Sequence, residues 1–402
     1  MLGPLAVSLA AWDNHEVNLF ACQELIMDQE VSFPHLSEEA QASLRLSLVP
    51  KVGPQLHHRL LAYFGSAVEV MSAPPSSLRD VPSVGATLAG EIARANDTID
   101  VEAEIERCRQ HDIQIIPIDD ERYPRNLMEI HDPPPILYVQ GELREEDLLS
   151  IAIVGTRHAT PYGKRQANRL ASSLSRAGLT ILSGLARGID SEAHRGALES
   201  GGRTLAVLPG GLTNVYPNEN KELAFDISHQ GALISESPSL TPISRGSFPR
   251  RNRIVTGMSL GVIVVEAGER SGALLSAGHA MEQDREVFAV PGPVDSRVSR
   301  GCHALLRDGA RLVESADDVL DELGPLVQAT SRASGETVHH PAELQLNEQE
   351  QQILQLVQTT STNIDEIVRE AGLPVPRVLA TLSALEMRRL IRRVSGNTVI
   401  RA

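Results

Sequence analysis

Ile151-Ala-Ile-Val-Gly155-Thr-Arg-His-Ala-Thr-Pro-Tyr-Gly163 is a short apolar run that halts at a glycine, passes through a polar loop and enters a helical pattern over Lys164 to Ala177. Strand, glycine loop and helix in that order set backbone amides at the carboxyl end of a parallel strand. That is where open α/β sheets bind ligands. The loop is neither GxGxxG nor closed by GK[ST], so it supports neither a dinucleotide site nor a Walker ATPase. Arg157 inside it adds a planar guanidinium fork suited to phosphate.

The same pattern repeats downstream. Leu179 to Ser183 reads as a strand, Gly184-Leu-Ala-Arg-Gly-Ile-Asp190 as its loop, and Ser191 to Ser200 as its helix. Thr204 to Leu208, Ala232 to Ser235, Gly261 to Glu266 and Val287 to Val290 read as further strands, with Ser271-Gly272 opening a helix either as a second phosphate nest or as a simple cap. Upstream, Ile113 to Ile118 reads as a buried strand and Ile136 to Gly141 as an edge strand. Repeated β–loop–α units predict an α/β fold with a doubly wound, mainly parallel sheet. Its glycine loops, with Gly155, Thr156, Arg157 and Arg187, then gather on one edge.

A second feature belongs to that edge. The chain has 402 residues and a formal net charge of −15, yet Ser244-Arg-Gly-Ser-Phe-Pro-Arg-Arg-Asn-Arg253 carries Arg245, Arg250, Arg251 and Arg253 with no acid among them. A cationic cluster on an acidic chain creates its own field and points to an anionic ligand, here nucleic acid. Single-strand binders pair cationic grooves with aromatic platforms. Aromatic residues are only 3% of the chain, so the candidate platforms are few: Phe248 chiefly, then Phe288, Tyr162 and Tyr216. The competing reading pairs these arginines with nearby carboxylates, Arg253 against Glu236 or Glu266 in particular.

Catalysis finds less support. Ser183, Asp190 and His194 are the residue types of a hydrolytic triad, but no GxSxG elbow presents a nucleophile. Glu236 and Glu266 end strands, where pairing with arginine competes with metal binding. Cys22, Cys108 and Cys302 stand far apart without CxxC or cysteine–histidine spacing, which suggests reduced thiols and no zinc site. No cofactor or metal is expected. Residues 1–12 are mildly apolar without a preceding cation or a sustained apolar run, so the expectation is a cytoplasmic protein without a membrane segment.

Gly155-Thr-Arg…Tyr-Gly163, Ser183-Gly-Leu-Ala-Arg-Gly-Ile-Asp-x-x-Ala-His194, Leu208-Pro-Gly-Gly, Tyr216-Pro-x-x-Asn220, Phe248-Pro-Arg-Arg-Asn-Arg-Ile254, Val265-Glu-Ala…Ser271-Gly and Gly301-Cys-His-x-Leu-Leu306 follow one another in order. Together they resemble the DprA/Smf family, the DNA-processing proteins of bacterial natural transformation, over residues 110–325. The resemblance implies an extended Rossmann-like fold that binds single-stranded DNA without catalysing a reaction, dimerises and helps load RecA. It places phosphate contacts at Gly155, Thr156, Arg157, Arg245, Arg250 and Arg251, with Phe248 stacking on a base. Duplex DNA is expected to bind more weakly.

Working outward, residues 1–38 form an acidic extension and 39–98 a small helical domain. The latter repeats "Val-Pro-x-Val-Gly, then helix" at Val49 to Gly53 and Val81 to Gly85, which resembles a helix-hairpin-helix. The family version has a second glycine two residues on, where this chain has Gln55 and Thr87; a bundle used for packing or protein contacts is the alternative. Residues 99–325 form the sheet domain, closed by helices whose Leu305, Leu306 and Leu312 are either a dimer surface or core. Residues 326–345 read as a linker. Residues 346–402, three helices and a hairpin with a Gly-Asn turn, resemble a winged helix. Its recognition helix buries Leu379, Leu382 and Leu385 and has little to read bases with, so it suits protein or backbone contact, with Arg377, Arg392 and Arg393 to test. Two other function classes stay open: a nucleoside monophosphate phosphoribohydrolase, against which Gly210-Gly-Leu-Thr-Asn lacks that family's third glycine and glutamate, and a winged-helix transcription regulator.

Overall fold

The computed structural model describes residues 36–324, 330–331, 337–338, 348–358, 361–387, 390–395 and 398–401. The amino-terminal extension, most of the linker and the Gly-Asn turn of the hairpin lie outside these residues.

Nine strands form the central sheet: β1 Ile113–Pro117, β2 Ile136–Gly141, β3 Ser150–Val154, β4 Thr180–Ser183, β5 Thr204–Val207, β6 Ala232–Ser235, β7 Gly261–Val264, β8 Glu286–Ala289 and β9 Arg311–Leu312. Their spatial order is β1-β2-β6-β5-β4-β3-β7-β8-β9. From β6 to β9 every pairing is parallel, while β2 pairs antiparallel with both β6 and β1. The expectation of an edge strand at Ile136–Gly141 is therefore corrected: β1 pairs outside it. Ile136 to Val139 are buried, as a strand flanked on both sides requires.

Alternation along β3 explains the two layers. Successive side chains leave a strand on opposite faces. Ala152 and Val154 enter a core with Leu182, Val207, Ile254 and Val264, whereas Ile151 and Ile153 enter another with Leu170, Leu174, Ala193 and Phe288. Helices Ser247–Gly257, Gly272–Glu282 and Arg300–Arg307 cover the first face; Pro161–Arg176, Ile189–Glu199 and Ala316–Leu323 cover the second. The sheet is doubly wound, as the repeated units predict. Phe288 is fully buried in this core and is no base platform. Leu305 is also buried, with Leu306 packed partly against it, so Leu305 serves the core and not a dimer surface, whereas Leu312 on the edge strand is 50% exposed.

Residues 38–98 form a helical domain with its own core, including Leu46, Leu60, Val70, Leu78 and Ile92. Its first helix, Glu38–Leu48, lies against β1 and β2. The carboxyl-terminal segment has helices Glu348–Leu356, Ile364–Ala371 and Val375–Met387 and a three-stranded sheet of Thr362–Asn363, Thr398–Arg401 and Ile391–Ser395. Val378, Leu382 and Leu385 face its core, and Leu379 is exposed; the 3.6-residue helical period turns 379 away from the 378/382/385 stripe. Arg377, Arg392 and Arg393 are exposed, and Arg393 lies 3.6 Å from Glu386.

Candidate nucleic-acid interface

Strand order places the site. The chain progresses from β3 through β4 and β5 to β6 in one direction, then returns to the other side of β3 with β7 and β8. Loops leaving β3 and β7 diverge at this reversal, the position where open α/β sheets form ligand crevices. A cavity of about 360 Å³ opens there. Its walls are Gly155 to His158, Gly184, Ala186 and Asp190 from the β4 loop, Phe248, Pro249, Arg251 and Asn252 from the arginine segment, and Ser271 to Ala273 with Leu275.

Glu266, the strand-end carboxylate, organises the β3 loop. Thr160 donates to it from both its amide (2.9 Å) and its hydroxyl (2.5 Å), and the Glu266 carbonyl accepts from Thr156 N at 2.7 Å. The Thr160 hydroxyl in turn caps the helix Pro161–Arg176 by accepting from Gly163 N. A side chain at Gly163 would place its Cβ 2.3 Å from the Glu266 carboxylate, so the glycine at the end of the loop admits the buried acid. Among the described residues no cluster of His, Cys, Asp and Glu is set to hold a metal.

The arginine segment is a helix, Ser247–Gly257, and the helix sorts its cations. Arg245 and Arg250 are exposed; Arg250 lies 3.9 Å from Glu236. Arg253 is buried, donating to the Glu236 carboxylate and to the Asp132 carbonyl at 2.7 Å. Arg253, expected among the ligand-facing cations, instead follows the competing reading and is buried against Glu236. Arg251 is buried as well, donating to the Val207 carbonyl at 2.9 Å, and its guanidinium fills the space over Gly184: a Cβ there would lie 1.3 Å from Nη1. Arg251 therefore floors the crevice. Arg157 is exposed at the rim, its guanidinium carbon 4.5 Å from the centre of the Phe248 ring. Tyr216 meets Phe248 edge-on at 6.3 Å and is 41% exposed. Arg187 lies on the same edge but is held bidentately by Glu219 at 2.6 and 2.8 Å, which raises the arginine pKa and lowers that of Glu219.

The three triad-like residues each have another occupation. Ser183 donates to the Ile153 carbonyl at 2.6 Å. Asp190 accepts from the Gly184 and Ala186 amides, shaping the β4 loop; burial raises its pKa, opposed by Arg251 and those amides. His194 Nδ1 lies 2.7 Å from Thr204 Oγ1, which itself donates to the Ile181 carbonyl, so the imidazole is the donor. Burial, with help from Arg251, pushes His194 down to about 3; it is neutral and structural. These side chains form no relay.

Ser271 caps its helix by accepting from Ala273 N at 3.3 Å, while Gly272 leaves open space at the crevice wall. Tyr162 reaches away from the crevice to donate to the Pro291 carbonyl at 2.7 Å. Asn252 was not among the expected site residues, nor was Asn220, whose amide ties the Leu185 carbonyl to Ser191 at 2.9 Å each and so holds the β4 loop. Helical periodicity was the available signal for Asn252, since Phe248, Arg251, Asn252 and Val255 share the crevice-facing stripe.

Residues 114–324 match the family described as DNA recombination-mediator protein A. The chain belongs to that family. Residues 338–397 match the DprA winged helix domain. Similar members include Protein Smf of Synechocystis sp., 34% identical over 88% of this chain and 96% of that one, and Protein Smf of Escherichia coli, 39% identical over 74% and 80%. The DNA processing protein DprA of Bacillus subtilis is 43% identical over 54% of this chain and 73% of its own. The X-ray structure of DprA from Streptococcus pneumoniae superposes with a TM-score of 0.62 at 34% identity, spanning 72% of this chain and 99% of that one. DprA membership accounts for the extended sheet and the winged helix. No helix among the described residues is long and apolar enough to cross a membrane.

Proposed function

We propose that the crevice binds single-stranded DNA and that the protein is a non-catalytic scaffold. It protects incoming DNA and helps load RecA for recombination in natural transformation, acting in the cytoplasm as a homodimer. The observation that carries this reading is Arg157 over Phe248 at the rim of a cavity floored by Arg251 and walled by glycine loops. An exposed guanidinium offers a phosphate its fork. The half-buried ring beside it offers a base its face, and stacking of this kind contributes about 1–3 kcal/mol per base. Gly272 leaves room for a backbone to approach, Gly155 and Thr156 line the wall opposite the arginine helix, and the exposed Arg245 and Arg250 add positive charge on the same segment. Ser183, Asp190 and His194 are bonded elsewhere, which favours a scaffold over a hydrolase.

A salt titration by fluorescence anisotropy, comparing single-stranded and duplex oligonucleotides of equal length, tests ligand class and electrostatics together. Binding is expected to favour the single strand and to weaken linearly in log salt. Arg157→Ala should cost roughly tenfold in affinity and lower the slope by about 0.7, the value for one phosphate contact on a single strand. Unchanged affinity in that folded variant, or release of base from a nucleoside monophosphate by the wild type, would overturn the reading.

A further inference from the structure

The helical domain carries one turn twice. Val49-Pro-Lys-Val-Gly53 and Val81-Pro-Ser-Val-Gly85 each place the third residue in left-handed backbone, with φ of 72° at Lys51 and 75° at Ser83. Each returns a hydrogen bond of 3.1 Å, from Val52 N to the Val49 carbonyl and from Val84 N to the Val81 carbonyl, and each starts a helix on an extended glycine. Their surroundings differ. Arg59 fills the second turn from within the domain, donating to the Pro82 carbonyl at 3.1 Å and to Ser83 Oγ at 3.2 Å. The first turn instead opens on a cleft of about 460 Å³ whose far wall includes Ile136, Glu236, Ser237, Pro238 and Arg250.

Arg250 connects this cleft to the crevice. Its neighbours Phe248, Pro249, Arg251 and Asn252 line the crevice, while Arg250 itself lines the cleft. Charge in the cleft favours an anion: of the residues that line it, Lys51 and Arg250 are cationic and only Glu236 is acidic, and Glu236 is already paired with the buried Arg253. Lys51 is exposed and makes no hydrogen bond or ion pair among the described residues. No aromatic side chain lines the cleft, so its chemistry suits a phosphodiester backbone and offers no platform for a base.

We propose that the cleft takes the continuation of the strand bound in the crevice, with Arg250 and Lys51 contacting its phosphates; this rests on the single-strand reading above. The two cavities then grip one strand in series, first by stacking and phosphate contact, then by phosphate contact alone.

The test is anisotropy of the full chain with oligothymidylates of about six and about fifteen nucleotides, within the span of known single-strand site sizes. Lys51→Glu should weaken the long oligonucleotide roughly tenfold and lower its salt slope by about 0.7, leave the short one unchanged, and Lys51→Arg should restore wild-type binding. Equal binding of the long oligonucleotide by wild type and Lys51→Glu overturns the cleft while leaving the crevice standing, and so does an equal loss at both lengths. Failure of the wild type to bind either length overturns the crevice reading and the cleft with it. Reductive methylation of Lys51, read by mass spectrometry, gives a check independent of mutation: the long oligonucleotide should protect it and the short one should not. Methylation unaffected by the long oligonucleotide overturns the proposal.

Discussion

The two ends of the arginine segment use one residue type in opposite ways. Arg245 and Arg250, at its start, stand in solvent; Arg251 and Arg253, further into the helix, are buried. In the sequence all four look like one basic run. In the fold, Arg253 neutralises Glu236 beneath the surface, Arg251 props the β4 loop, and the outer two stay exposed. A cationic cluster is thus half framework and half contact, and the helix decides which half each residue joins.

Removing an inner arginine should produce the largest effect, and it should be on stability. Arg253→Ala leaves Glu236 charged with its side chain 14% exposed. Leaving this buried carboxylate with only the exposed Arg250, 3.9 Å away, costs about 3 kcal/mol, read as a lowered thermal unfolding midpoint. The sign of its pH dependence follows from burial, which already raises the Glu236 pKa above its ordinary 4.5 while Arg253 opposes the rise. Without Arg253 the carboxyl pKa rises further, so the deficit should be full at neutral pH and shrink as pH falls through that raised value toward 4.5. A deficit that stays constant across this window would mean that Arg253 contributes by packing alone.

A rim residue should behave the other way round. Phe248→Ala is expected to weaken single-strand binding by about 2 kcal/mol, roughly thirtyfold, through lost stacking. Its unfolding midpoint should move less than that of Arg253→Ala; a larger move would transfer Phe248 to the framework. The smallest effect belongs to Arg187, whose charge is already met by Glu219. Arg187→Ala should change affinity by no more than about twofold, because exposed ion pairs contribute little. A larger loss in anisotropy would show that DNA displaces Glu219.

How much of this was readable beforehand differs between the same two kinds of residue. Repeated strand, loop and helix units revealed the doubly wound sheet and the edge at which Gly155, Thr156 and Arg157 meet the arginine segment, since period and turn chemistry are local. The placement of β2 between β1 and β6 was not readable, because pairing between distant strands leaves little mark on either one. Nor could charge counting separate Arg251 from Arg250. That division depends on which way each residue faces on the helix, and on an empty volume over Gly184 that only the packed loops create. Leu305 shows the same limit, because an apolar stripe reads alike whether it meets the sheet or a second subunit.

Gly184 and Arg251 hold the two sides of one small volume, and that has a consequence for how the protein can change over generations. Any side chain at 184 collides with the guanidinium, and a shorter residue at 251 leaves a void under the loop. A change at either position alone disturbs this packing, whereas a paired change, bulk gained at 184 as it is lost at 251, keeps the volume filled. The pair is an epistatic lock on the floor of the crevice.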